Sequence, residues 1–299
     1  SETAFFPFFP ALMRLVSPLF GGNIVLAGIA ISTTALVLAL WGVQRLAARD
    51  VGDAAARRAV MYIAIFPAAL FFFAPFTESL FLALAVWSME LARSGRWGAA
   101  GALGLLAGMT RPVGIFLALP NLWLALSSRR GTDPRSRGLG PWLAAVAPIV
   151  GFAVFTLFSV RFSGETPIDA QGRWWGSPSV HPPWEVIDAT LAWIARTGDG
   201  LQAVNLALLV GAAILLVIGL VRLPIEYSLF AAPHVVLAAT RILPTPLTST
   251  TRYLMIVFPL FVVLALLGER RRLHWTWVIA SLLLLGLLAH AFLRGDFVA

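Results

Sequence analysis

Two charged residues interrupt long apolar runs in the first half of the chain. Glu78 stands in Ala74-Pro75-Phe76-Thr77-Glu78-Ser79 and Arg111 in Thr110-Arg111-Pro112. An ionised group in or beside hydrocarbon is costly unless it is paired or faces water, so such residues are candidates for function. Arginine also suits one particular task. Its guanidinium stays charged and grips phosphate oxygens in a two-pronged fork, which makes Arg111, Arg241 and Arg252, the last with Tyr253 beside it, candidate ligands for a lipid phosphate. Two plainer readings stand alongside. Arg252 also fits an interfacial arginine reaching to headgroups, and Arg111 fits a helix-end residue paired with Glu78. Glu78 is the candidate acid within the chain, though an acid in a first helical turn is also favoured by the helix dipole. In the polar stretch further on, Trp174, Trp175 and His181 are candidates for contact with a sugar or an acceptor, the tryptophans equally for interfacial anchors. His181 with Asp169, Glu185 and Asp188 also has the ligand types for a divalent metal.

These residues need elements that cross or border a membrane, and the composition supplies them. Of 299 residues 59% are hydrophobic and only 12% charged, at a mean hydropathy of +0.86, whereas soluble domains carry about 25% charged residues. The sequence therefore predicts an all-α polytopic membrane protein forming a single domain over residues 1–299. The formal charge of +8 comes entirely from arginine, and it predicts loop orientation and contact with anionic lipid, not nucleic-acid binding. With no cysteine, thiolate chemistry and disulfides are excluded.

Residues 5–20 are apolar but broken by Pro7, Pro10, Pro18 and Arg14, which predicts a helix lying at the interface. About ten hydrophobic helical segments follow: Ile24 to Val43, Ala59 to Phe73, Phe76 to Leu91, Trp97 to Met109, Val113 to Leu126, Trp142 to Val160, Leu201 to Val221, Tyr227 to Thr240, Tyr253 to Leu267 and Trp275 to Leu293. The two around Thr110-Arg111-Pro112 are each short and predict half-length helices or a thin hairpin. Residues 161–200 are the longest polar region and predict an outer loop. Glycines such as Gly101 to Gly108 predict close helix packing.

Alternate loops carry unequal charge. One face collects fourteen arginines against six acids, while the other has eight of each. The positive-inside rule makes the first face cytoplasmic, which places Glu78, Arg111, the long loop, Arg241, Arg252 and both chain ends outside. An N-terminus outside implies a preceding helix that carried it there.

Phe5-Phe6-Pro7-Phe8-Phe9-Pro10 with Arg14, Phe66-Pro67, the Ala74–Ser79 motif, Gly95-Arg96-Trp97, Thr110-Arg111-Pro112, Pro182-Pro183-Trp184-Glu185, Arg252-Tyr253, Phe258-Pro259 and the closing Arg294-Gly295-Asp296 occur in this order along nearly the whole chain. The ordered set resembles bacterial relatives of the PIG-V-type mannosyltransferases, of the GT-C class of polytopic glycosyltransferases. The resemblance implies a plasma-membrane enzyme whose active face is outside. It would move a sugar, with a lean to mannose, from a polyprenyl-phosphate donor to an acceptor, in contact with membrane lipids and without a nucleotide donor. It also implies a catalytic acid in the first outer loop, just ahead of the Phe-Phe-Pro region, and so upstream of Ser1. Two other readings stay open: a non-catalytic membrane subunit that presents lipid-linked sugar, and a transporter or flippase for it. A flippase predicts polar groups near mid-membrane, whereas the charges here cluster at helix ends.

Overall fold

The structure, a computed structural model, describes residues 6–129, 138–175, 179–243 and 245–295. It is 82% helical, with three strands of two or three residues, so the all-α reading holds. The chain opens with α1 (Phe8–Val16) and a 3₁₀ turn (Ser17–Phe20), where the interfacial helix was expected. Asn23 then caps α2 (Ile24–Ala64) by accepting from the Leu26 N–H. The polar stretch 44–58, between the first two expected segments, is helical and continues α2, broken only at Gly52, whose φ of 78° lies in the left-handed region that glycine reaches without strain. The segment expected over Ala59 to Phe73 does not form one helix. α2 stops at Ala64, a turn carries Phe66-Pro67, and α3 (Leu70–Phe73) is a single turn ahead of Pro75, because neither proline can sit in a helix interior without losing a hydrogen bond.

α4 (Glu78–Arg93) is the central helix, with thirteen of its sixteen residues buried. The expected hairpin appears as α5 (Trp97–Gly108), a 3₁₀ turn (Pro112–Leu117) and α6 (Ala118–Ser128). α7 (Gly140–Ser163) packs on α5 at glycine contacts. A Cβ on Gly108 would meet the Pro148 carbonyl oxygen at 2.1 Å, and one on Gly151 the Leu105 oxygen at 2.0 Å. Residues 161–200 are largely not a loop: they continue α7 and form α8 (Pro167–Trp175), β1 (Ser179–Val180) and α9 (Pro183–Thr197). Asp199 caps α10 (Gly200–Arg222), and α11 (Ile225–Ala239) follows. β2 (Arg241–Leu243) pairs antiparallel with β1, Val180 opposite Arg241, and β3 (Thr245–Pro246) pairs with β2. The expected segment over Tyr253 to Leu267 is split at Pro259 into α12 (Thr250–Met255) and α13 (Phe258–Leu267). α14 (Arg271–Leu293) closes the bundle.

Among the described residues four helices, α2, α7, α10 and α14, are long and apolar enough to cross a membrane. Ten hydrophobic segments therefore do not become ten spanning helices. Several are 10–17 residues long or broken by proline, and α4 spends its apolar surface on other helices. The buried aromatic core, with Tyr62, Phe72, Phe81, Tyr227, Phe230 and Phe258, gathers around α4.

Candidate anion site at the start of α4

The stretch from Pro75 to Glu78 is held from several sides. Ser79 donates its hydroxyl to the Phe72 carbonyl at 2.6 Å, and Ser32 of α2 donates to Phe76 at 3.3 Å. α2 approaches closely because Gly28 has no side chain; a Cβ there would lie 2.6 Å from Pro75. Glu78 thus starts α4 fully buried, its carboxylate beside the positive end of the helix dipole.

Two guanidiniums converge on one of its oxygens. Arg111 Nη1 lies 2.9 Å from Oε1, and Arg252 donates to the same atom from Nε at 3.0 Å and Nη2 at 2.5 Å. Arg111 also donates to the Thr77 hydroxyl at 3.0 Å. It reaches this position because Pro112 forces its backbone into an extended conformation, and because Gly114 lets the following turn settle on α5, a Cβ there meeting the Ala107 oxygen at 2.3 Å. Arg252 rests against a pair of edge-to-face aromatic rings, its guanidinium carbon 4.5 Å from the Phe71 centroid and 4.7 Å from that of Phe76.

Arg252 is aimed from behind by Asn205 of α10, which is buried. The Asn205 side-chain oxygen accepts from the Thr251 hydroxyl at 2.5 Å and from the Thr251 N–H at 3.3 Å, so it caps α12 one residue before Arg252. Leu247 and Ser249, in the turn before α12, both hold left-handed φ values, 55° and 63°, a local strain that such caps must hold in place. Arg241 of β2 lies with its guanidinium carbon 5.9 Å from the Tyr253 ring and donates to its hydroxyl at 3.4 Å.

Two cations on one anion leave a formal surplus of one positive charge. The two arginine side chains are 13% and 23% exposed and Glu78 not at all, so the surplus faces outward from a buried anchor. The second Glu78 oxygen, Oε2, is buried without a partner among the described residues. A carboxylate in this setting orients the guanidiniums, while their remaining N–H donors are suited to an oxyanion.

A scan against protein-family models, a search of curated proteins and a search of solved structures each return no match. The functional reading therefore rests on the residues themselves.

The expected Glu78–Arg111 proximity is present. Arg252, for which a headgroup contact was the plainer alternative, turns inward onto Glu78 instead. His181 pairs with Glu185 at 3.1 Å and donates its backbone N–H to Thr240. Asp169 turns to the Thr166 hydroxyl at 2.6 Å, and among the described residues no three His, Asp or Glu side chains gather as a metal site. The side chains of Trp174 and Trp175 lie outside the described part.

The opposite end of α4 carries a second anion that the sequence reading passed over. Glu90 is buried and one of its oxygens receives Arg45 at 2.7 Å and Arg49 at 2.5 Å, both from α2. Next to it Arg93 forks onto Asp50, which also accepts from the Tyr227 hydroxyl at 2.8 Å. A signal was available: Glu90 is a lone acid inside the apolar run of α4, as Glu78 is at its start. Asn205, a lone amide in an apolar span, is another.

Proposed function

We propose that the chain is a membrane glycosyltransferase of the GT-C kind that takes a sugar, mannose in the first instance, from a polyprenyl-phosphate donor. The observation that carries this reading is the convergence of Arg111 and Arg252 on the single buried carboxylate of Glu78, with a positive surplus directed outward. In such a transfer the bond between the sugar's anomeric carbon and the phosphate oxygen breaks, and its electron pair leaves on the lipid phosphate. A bond forms from the acceptor hydroxyl oxygen to the same carbon, and the hydroxyl proton passes to a base. Pre-positioned cations stabilise the phosphate as it departs. Glu78, sealed beneath both arginines, acts here as the orienting anion; the resemblance assigns the base to an acid outside this cluster. Four long apolar helices fit a lipid-borne donor, and charge counting puts the arginine cluster on the outer face.

The test is binding and turnover of polyprenyl-phosphate-mannose by the chain in proteoliposomes. A charged hydrogen bond contributes about 1.5–3 kcal/mol, so Arg252→Ala is expected to weaken donor binding roughly 10- to 100-fold, and Arg252→Lys, which keeps the charge without the fork, by less. Unchanged donor binding in both Arg252→Ala and Arg111→Ala rejects the reading. Transfer is tested with the sequence upstream of Ser1 joined to the chain, where the resemblance expects the acid, and binding without transfer in that longer form assigns it to the non-catalytic subunits.

A further inference from the structure

The Glu90 end of α4 carries arginines with donors to spare. Glu90 Oε1 receives Arg45 through Nε at 2.7 Å and Arg49 through Nη2 at 2.5 Å, and the buried Oε2 has no partner among the described residues. Both arginines are exposed, and the terminal nitrogens of Arg45, with Nε and Nη1 of Arg49, make no hydrogen bond or ion pair among the described residues. The acids here are turned inward. Glu90 and Glu226 are buried, and Asp50 is forked by Arg93. Three acids thus match three arginines, yet the charge that meets the surroundings is positive.

The residues that lead to this pair along α2 fit a membrane boundary. Leu38, Trp41, Arg45 and Arg49 follow one another at spacings of three or four, so they share one helix face, and all four are exposed. Their order is apolar, aromatic, cationic, which is the order met on passing from hydrocarbon to headgroups. Trp41 meets Trp87 of α4 edge-on with ring centroids 5.0 Å apart, and Trp87 is fixed by donating its indole N–H to the Leu38 carbonyl at 2.8 Å. Arg45 lies twenty-one positions after Ile24, about 32 Å of rise with no break before Gly52. A hydrocarbon core of about 30 Å that begins where α2 begins therefore ends beside Trp41 and Arg45.

We propose that Arg45 and Arg49, tied together by Glu90, bind the phosphodiester of an anionic phospholipid in the inner leaflet, with its acyl chains lying along Leu38 and Trp41. Guanidinium N–H donors left free of Glu90 suit phosphate oxygens, and the shared carboxylate holds both groups in place before a lipid arrives. A zwitterionic headgroup brings its own cation to a cationic surface, whereas an anionic one does not. A soluble anion gains nothing from Trp41 and Leu38, whereas a lipid covers them. The charge asymmetry of the loops predicts that this end of α4 faces the inner leaflet, whose anionic lipids attract basic groups. The site is independent of sugar transfer, since it lies at the other end of α4 from Glu78.

The experiment places the chain in phosphatidylcholine nanodiscs with a trace of phosphatidylglycerol that carries a diazirine near the headgroup end of one acyl chain, or of phosphatidylcholine labelled alike. The phosphatidylglycerol probe is expected to label α2 around Leu38 and Trp41 more than the phosphatidylcholine probe does, and to be competed by unlabelled phosphatidylglycerol. Arg45→Gln/Arg49→Gln/Glu90→Gln removes the site without stranding Glu90 and lowers the net charge by one. It is expected to cut this label at least about fivefold, the attraction of one basic group for an anionic leaflet. Arg57→Gln lowers the net charge equally at an exposed arginine further along α2, and is expected to leave the label as it was. Phosphatidylcholine label on the exposed residues of α14, among them Ile279 and Leu283, reports folding and should not change. If it does change in the triple variant, Arg45→Lys/Arg49→Lys decides: it keeps Glu90 paired and loses the fork, so part of the label should go, and full label overturns the proposal. Equal labelling of α2 by both probes overturns it in favour of bulk lipid. An equal loss in Arg57→Gln overturns it in favour of general surface charge, and competition by soluble glycerophosphoglycerol in favour of a free anion.

Discussion

Glu78 and Glu90 present the same motif with different surroundings. Each is a buried carboxylate that receives two arginines on one oxygen, but the arginines on Glu78 are 13% and 23% exposed, whereas those on Glu90 are 52% and 39% exposed. Removing the anion from Glu78 strands two mostly buried cations; removing it from Glu90 leaves Arg45 and Arg49, which are far more exposed, to swing outward. Breaking a buried pair costs about 3–5 kcal/mol, so Glu78→Gln is expected near that range and Glu90→Gln clearly below it. Thermal unfolding in detergent measures the difference, and equal losses would mean that exposure of the partners does not decide the cost. For the same reason the Glu78→Gln/Arg111→Gln double variant is expected to lose less than the sum of the singles, with a coupling of about 0.5–3 kcal/mol. Additive losses would show that the two do not interact energetically.

Helix contact at α5 and α7 depends on glycine in a way that single substitutions can read. Gly108→Ala would drive a methyl against the Pro148 carbonyl and Gly151→Ala one against the Leu105 carbonyl, so the helices must separate. Overpacking of this sort costs about 1–3 kcal/mol. Gly98→Ala, in the same α5 with nothing within 4 Å of the new atom, is expected to be neutral or to stabilise by up to about 1 kcal/mol through helix propensity. If the three behave alike in thermal unfolding, close backbone approach is not what holds this pair. At α12, Asn205→Ala removes the cap that aims Arg252. The expected result is weaker binding of polyprenyl-phosphate-mannose together with a loss of about 0.5–2 kcal/mol in stability, and normal binding would take Asn205 out of the site.

The molecule as a whole separates its two charged ends along α4. Glu90 lies twelve positions after Glu78, about 18 Å of helix rise, so the clusters sit at opposite ends of the buried helix. α7 has twenty-four residues, about 36 Å, enough to cross a hydrocarbon core of about 30 Å. Cysteines placed singly at Leu139 and Ser163, both exposed in this cysteine-free chain, are therefore expected to react from opposite sides of the membrane. The charge asymmetry of the loops predicts that Leu139 reacts from the inner side. Reaction of both from one side would mean that α7 does not cross.

Local chemistry was legible in the residues themselves. Apolar runs mark helices wherever they fall, which is why the membrane class and most helical segments could be read from the sequence. The pairing of Glu78 with Arg111 could also be read, since each charge sits by a proline at a helix end and needs a partner. What only the tertiary structure decided depends on contacts between distant parts of the chain. Arg252 reaches Glu78 across 174 positions because Asn205 fixes α12 and the Phe71 and Phe76 rings receive the guanidinium. An apolar run also reads alike whether it crosses a membrane or is buried among other helices, so the sequence predicted about ten segments where four helices are long enough to span. The polar stretch 161–200 was expected as a loop because its charges obscure the helix caps at Gly164 and Gly198, whose left-handed turns close α7 and α9 once those helices have neighbours to pack against. The apolar gap lined by Leu208 of α10, Phe261 of α13 and Trp277 of α14 has no local signature at all, because a gap exists only where several packed surfaces fail to meet.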